Sequence, residues 1–211
     1  RYYTKQLNID ISYDQVIVGV GSKSLLYSII QALDGDILLP RPSWVSYSSI
    51  ATMCNRSIKR FDLNKNNGFK LNIDSLKDAY SSAKNSGGNP SMLVLNSPNN
   101  PVGNSFEKSD IQSVANWAQE NNITILSDEI YGLITFKENK HHTPLTYYPD
   151  KTIVFSGLSK HLSLGGWRLG ISILPSNAFG QQLISRFESI SGNIWSCVPC
   201  LLYTSPSPRD S

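Results

Sequence analysis

Short, mostly apolar runs alternate with longer amphipathic ones along this chain, and that alternation restricts the fold more than any other feature. Gln15 to Gly19, Ile37 to Leu39, Ser57 to Leu63, Met92 to Leu95, Ile123 to Leu126, Thr152 to Phe155 and Leu169 to Leu174 read as strands. Between them, Ser22 to Leu33, a stretch from Ser43 towards Cys54, Ile73 to Lys84 and Phe106 to Glu120 read as helices. The first carries Leu25, Leu26, Ile29, Ile30 and Leu33 on one face. Asp34-Gly35 ends that helix, Pro40 and Pro42 stop the second strand, and Asn85 to Pro90 is a loop. Ser43 and Ser105 stand where helix caps are expected. Strands that are apolar on both faces must be covered on both. The fold class expected is therefore α/β, three layers α/β/α around a mainly parallel sheet. Ligands of such sheets sit at the carboxyl ends of the strands.

The polar clusters of the sequence fall at those ends. Gly19-Val-Gly21-Ser22-Lys23 follows the first strand and opens a helix, where free N–H groups suit a phosphate. Ser22 can equally be a plain helix cap, and the glycine spacing matches neither a Walker loop nor a Rossmann fingerprint. Pro42-Ser43-Trp44 follows the second strand; its indole is either a stacking surface for a flat ring or a half-buried core residue. Ser97 to Gly103 is a turn stiffened by Pro98 and Pro101, and it holds Asn100. Asp128-Glu129-Ile130-Tyr131 follows a buried strand. A carboxylate there is costly without a cationic partner, although Asp128 can also cap a helix.

The last cluster, Ser156 to Gly170, sets Lys160 among hydroxyls and glycines with Arg168 eight residues on. A lysine buried enough to lose its proton attacks a carbonyl, and an arginine beside small residues holds a phosphate. The compound with both groups is pyridoxal 5′-phosphate. Its protonated ring nitrogen is the partner that Asp128 lacks, and ionic pairing there makes the ring an electron sink.

Composition narrows the alternatives. A chain of 211 residues, 40% apolar and 17% charged, supports one large domain. A net charge of +3 without a basic run gives no reason to expect nucleic acid or an anionic membrane as a partner, and no apolar run spans a bilayer. Cys54, Cys197 and Cys200 make no disulfide framework, so a reducing cytoplasm is the default location. Cys197-Val-Pro-Cys200 lacks the two further ligands of a zinc site, His141-His142 being the only imidazole pair, and no metal is expected.

On Asn100-Pro-Val-Gly103, Asp128-Glu-Ile-Tyr131, Ser159-Lys160 and Gly166-Trp-Arg168-Leu-Gly170, the sequence resembles the fold-type I pyridoxal-phosphate enzymes. It is closest in pattern to the class I/II aminotransferases of the aspartate and aromatic aminotransferase group. Pro42-Ser-Trp-Val-Ser-Tyr47 and Gly21-Ser22 add to the likeness, which runs from about Asp14 to Pro199. The resemblance implies that Lys160 forms an aldimine with the cofactor and moves the substrate's proton. It also implies that Asp128 pairs with the ring nitrogen, that Asn100 and Tyr131 bond the ring oxygen, and that Trp44 stacks on the ring. Gly21, Ser22, the Lys23 backbone, Ser159 and Arg168 would hold the phosphate. The implied reaction moves an amino group between an L-amino acid and a 2-oxo acid in a homodimer. A lyase or decarboxylase on the same cofactor, or an inactive binding protein, would use the same cofactor residues. Gly157 departs from the pattern, because many relatives carry a hydroxyl there; Ser156 is the candidate substitute. By the same resemblance residues 1–199 are the cofactor-binding large domain without its N-terminal arm and C-terminal small domain, so the chain by itself is expected to be inactive. Residues 200–211 read as a non-native tail.

Overall fold

The computed structural model describes residues 5, 7–134, 136 and 140–204. Most of the tail expected to be non-native, residues 205–211, lies outside the described residues. Seven strands form one sheet: β1 (Val16–Val20), β2 (Asp36–Arg41), β3 (Ile58–Asp62), β4 (Pro90–Asn96), β5 (Thr124–Asp128), β6 (Thr152–Gly157) and β7 (Leu169–Ile173). Their order across the sheet is β1-β7-β6-β5-β4-β2-β3. Pairing is parallel from β3 through to β6, and β7 runs against both of its neighbours. β1 therefore points the same way as β6, and β7 alone is reversed.

Residues of one strand alternate between faces, and each face has its own core. Leu39, Val94, Leu126, Ile153 and Phe155 pack with Leu26 and Ile29 of α1 (Ser22–Ala32), Tyr47 and Ile50 of α2 (Val45–Met53), and Leu183 and Phe187 of α5 (Ala178–Ile194). Their neighbours in sequence, Leu38, Leu93 and Ile125, face the other way. They pack with Leu76 of α3 (Ile73–Asn85) and with Ile111, Val114 and Trp117 of α4 (Lys108–Glu120). This is the three-layer α/β/α architecture expected from the alternation of the sequence.

Two local expectations are corrected. Ser43 does not cap α2, which begins after Trp44 with no side-chain cap. Ser105 does not open α4, which begins at Lys108. The Phe106 N–H instead donates to Ser97 Oγ at 3.0 Å, which ties this stretch to the turn after β4 rather than to the helix. The long helix α5 has no counterpart among the predicted elements. Its start is nevertheless coded: Asn177 Oδ1 accepts from the Gly180 N–H at 3.1 Å, a side-chain cap of ordinary geometry. A short helix α6 (Leu201–Thr204) follows it.

Phe187 is 5% exposed and joins α5 to the core under α1. Phe187→Ala should lower the unfolding free energy by about 3–5 kcal/mol, read from urea denaturation. A loss below about 1 kcal/mol would mean that α5 is not part of the cooperative fold.

Candidate active site

Parallel strands deliver their carboxyl ends to one edge of a sheet, and β1 to β6 do so here. Arg168 comes before a strand rather than after one. Because β7 is reversed, its amino end reaches the same edge, and Arg168 arrives with the others.

The cradle at this edge is made of backbone. Gly21 caps α1 with φ of 80° and offers no side chain to the helix amides, while Ser22 is the first helical residue and not a cap. Gly170 pairs with Gly19 on one side and Gly157 on the other, a row of three glycines across β1, β7 and β6. A Cβ on Gly170 would overlap the Gly21 carbonyl carbon and the Ser22 nitrogen. Arg168 has left-handed backbone (φ 52°) and donates from Nη1 to the Gly165 carbonyl at 2.9 Å. Its other terminal nitrogen lies where a side chain on Gly21 would stand. A guanidinium and the uncapped amino end of an eleven-residue helix thus converge, an arrangement suited to a phosphate. Gly157 has no room for the hydroxyl side chain that the family pattern led one to expect: a Cβ there would stand 2.6 Å from the Leu169 carbonyl oxygen.

Asp128 ends β5 at 3% exposure. Its Oδ2 accepts from the Tyr47 hydroxyl at 2.7 Å and its Oδ1 from the Ile130 N–H at 3.2 Å. Burial raises its pKa to about 6; those two hydrogen bonds oppose the rise, Glu129 adds to it, and Lys160 opposes it. Two hydrogen bonds do not compensate the lost water, so the site favours a cation beside this carboxylate. The Tyr47 hydroxyl is in turn held well above its ordinary pKa, by burial first and by Asp128 second, and stays a donor.

Asn96 closes the floor between β4 and β5. Its Nδ2 donates to the Asp128 carbonyl at 2.9 Å, and its Oδ1 accepts from the Asn100 N–H at 2.7 Å. Asn100 Nδ2 points to the Tyr131 hydroxyl at 3.4 Å. Trp44 meets Tyr47 edge to face, with centroids 5.3 Å apart. The Lys23 ammonium sits 5.0 Å from the Trp44 ring centroid, so this side chain serves the indole, and only the Lys23 backbone is left for an anion. Lys160 Nζ lies 5.7 Å from the Tyr131 ring centroid.

Ser22, Trp44, Asn100, Asp128, Tyr131 and Lys160 line one cavity of about 100 Å³ together with Tyr47 and Asn96. Lys160 and Asp128 are thus on the same cavity, as a ring held between them requires. The expectation of a buried lysine is corrected: Lys160 is exposed, on a loop that leaves the strand end. Ser159 precedes it there and does not line the cavity. A wider cleft of about 820 Å³, bordered by Lys108, Gln112, His142 and Tyr147, holds none of the sequence-predicted site residues. Convergent polar groups, not volume, identify the smaller cavity as the site.

Three features escaped the sequence reading. Tyr47 falls one turn after Trp44 on α2, and Asn96 ends an apolar strand, where a buried amide must find partners. The third is a buried cluster around Glu129 and His141. A flat ring with an anionic phosphate at one end and a protonated nitrogen at the other fits this donor set. The phosphate suits the Gly21–Arg168 cradle, the nitrogen Asp128, and the ring oxygen Asn100 and Tyr131.

Residues 1–205 match the family model described as aminotransferase class I and II. The chain is 31% identical over 198 residues to an asparagine–oxo-acid transaminase of Streptococcus mutans, covering 90% of this chain and 49% of that protein. It is 30% identical over 201 residues to an aspartate aminotransferase of Pyrococcus horikoshii, covering 94% and 50%. Among solved structures, the aspartate aminotransferase from Thermus thermophilus with maleate aligns at a TM-score of 0.84 and 25% identity, over 94% of this chain and 50% of that one. The aromatic aminotransferase from Pyrococcus horikoshii OT3 aligns at 0.83 and 26%, over 94% and 52%. The chain spans about half the length of the curated relatives it matches.

Asp128 binds its proton more tightly folded than unfolded, so it weakens the fold above about pH 6 and ceases to do so as the pH falls towards its unfolded value. Cofactor-free Asp128→Asn should therefore resist urea better than the wild type at pH 8, by up to about 3 kcal/mol. The gap should close near about pH 4. Identical pH dependence in the two proteins would show that this carboxyl is not strained by burial.

Proposed function

The chain belongs to the class I and II aminotransferases, and from that membership we propose that the complete protein moves an amino group between an L-amino acid and a 2-oxo acid on pyridoxal 5′-phosphate. The observation that carries the proposal is the shared cavity of Lys160, Asp128, Asn100, Tyr131 and Trp44. When bound, the cofactor supplies an aldehyde that takes up an amine and a cationic ring that withdraws electrons from it.

Each residue then has a distinct task. Lys160 Nζ would be the amine available to the aldehyde and to a proton. The Asp128 carboxylate would hold a proton at the ring nitrogen, and Tyr47 keeps that carboxylate in place. Asn100 Nδ2 and the Tyr131 hydroxyl, 3.4 Å apart, would be the donors available to the ring oxygen. Trp44 would supply an apolar wall for the ring and exclude water. Gly21, the Ser22 hydroxyl, the Lys23 backbone, Ser159 and Arg168 hold the phosphate, with Arg168 the charged member of the set. In this reading the active protein is a homodimer in the cytoplasm. No helix among the described residues is long and apolar enough to cross a membrane. Aspartate and asparagine, named for the relatives, are the amino donors to try first.

Full-length protein with added cofactor should show a visible absorbance band and transfer an amino group to a 2-oxo acid, and Lys160→Ala should lose both. Release of carbon dioxide or ammonia without transfer would make it a lyase or decarboxylase, and absence of cofactor uptake would make it an inactive relative. Arg168→Ala should weaken cofactor binding by about tenfold or more, whereas Trp44→Phe, which keeps a stacking surface, should cost only about two- to threefold. Equal affinities for the two variants would remove Arg168 from the phosphate site.

A further inference from the structure

Asp128 and Glu129 are adjacent, yet their carboxylates serve opposite faces of the sheet. Asp128 meets Tyr47 beneath the cavity, while Glu129 turns away from it towards Ser127, His141 and Thr143. Nothing in the proposed chemistry uses Glu129. Its side chain is 1% exposed and that of His141 is 2% exposed, so an acid–imidazole pair is kept in the interior. Replacing such a pair with apolar packing is often neutral or stabilising, so the pair needs a reason.

The geometry supplies one. Glu129 Oε1 accepts from Ser127 Oγ at 2.9 Å and from Thr143 Oγ1 at 2.5 Å. Oε2 meets His141 Nε2 at 2.7 Å; with Glu129 as a carboxylate, which only accepts, Nε2 is the donor. The backbone is fixed as well: the Glu129 N–H donates to the Phe155 carbonyl on β6, and its own carbonyl accepts from the Gly132 N–H, both at 2.8 Å. A Cβ on Gly132 would stand 3.2 Å from the His141 ring, so the imidazole backs directly onto this turn. One carboxylate thus joins β5, the turn 129–132 and the returning segment 141–143, which no apolar side chain can do. The turn carries Tyr131, whose hydroxyl makes, among the described residues, a long 3.4 Å contact with Asn100. Where the phenol stands is therefore decided mainly by the backbone beneath it.

We propose that Glu129, His141 and Thr143 are positioning residues: they clamp the turn after β5 from behind, and so hold the Tyr131 hydroxyl beside Asn100 at the cofactor's ring oxygen. The proposal rests on the cofactor reading above, and its test has one arm that does not.

In full-length protein loaded with pyridoxal 5′-phosphate, the pH midpoint of the visible absorbance reports the hydrogen bonds to the ring oxygen, and Tyr131→Phe calibrates it. Glu129→Gln, His141→Ala and Thr143→Val should each move the midpoint in the direction of Tyr131→Phe, by about half a pH unit or more. Thr143→Ser, which keeps the hydroxyl, should restore the wild-type value. Midpoints unchanged in Glu129→Gln and Thr143→Val, whether or not thermal stability falls, would reduce the cluster to packing and overturn the proposal. If Glu129→Gln does not fold, the Thr143→Val and Thr143→Ser pair decides.

The second arm uses cofactor-free protein. Amide exchange at Ile130 and Gly132 should quicken about tenfold or more in Thr143→Val, beyond any change in the rest of the sheet, and not in Thr143→Ser. A uniform change, or none, overturns the clamp. A wild type that takes up no cofactor would instead refute the cofactor reading and leave this arm to judge the clamp.

Discussion

A carboxylate held out of water with too few partners is the constraint from which the rest of the site follows. Asp128 has two hydrogen bonds and almost no solvent, and burial outweighs both donors. The fold keeps this unfavourable group at the carboxyl end of a central strand, where parallel neighbours on both sides prevent it from escaping. A cation brought to it gains what the fold has forgone. A buried carboxylate in this position costs the fold stability and leaves a place where a cation would be welcome.

The rest of the edge is arranged around that point by strand direction. Six strands present their ends together, and the reversal of β7 adds Arg168 from a residue that precedes its strand. Side chains brace one end of the site through Tyr47 and Asn96, and at the other the Gly21 main chain meets Gly170 and the Arg168 guanidinium.

Much of this was legible in the sequence because it depends on local pattern. Continuous apolar runs such as Met92 to Leu95 announce a strand covered on both faces, and the three-layer fold follows. Asp128, Asn100 and Lys160 were visible as polar residues placed at strand ends. What stayed hidden depends on which distant groups meet. Tyr47 reaches across 81 positions to Asp128, and nothing near it in sequence says so. Ser105 looks like a cap until the Phe106 amide is seen to be engaged by Ser97. His141 read as half of a bare imidazole pair, because its partner Glu129 lies twelve residues away on another element. The helix from 178 to 194 carries a local signal in the Asn177 cap, but a lone asparagine before an amphipathic run is a weak one.

The three glycines in register across β1, β7 and β6 have a consequence for how such a protein changes over generations. A position without a side chain offers nothing to vary: every replacement at Gly170 drives atoms into the main chain of Gly21 and Ser22. Gly170 is therefore closed to variation by the main chain beside it, and change along this edge of the sheet has to begin at other positions.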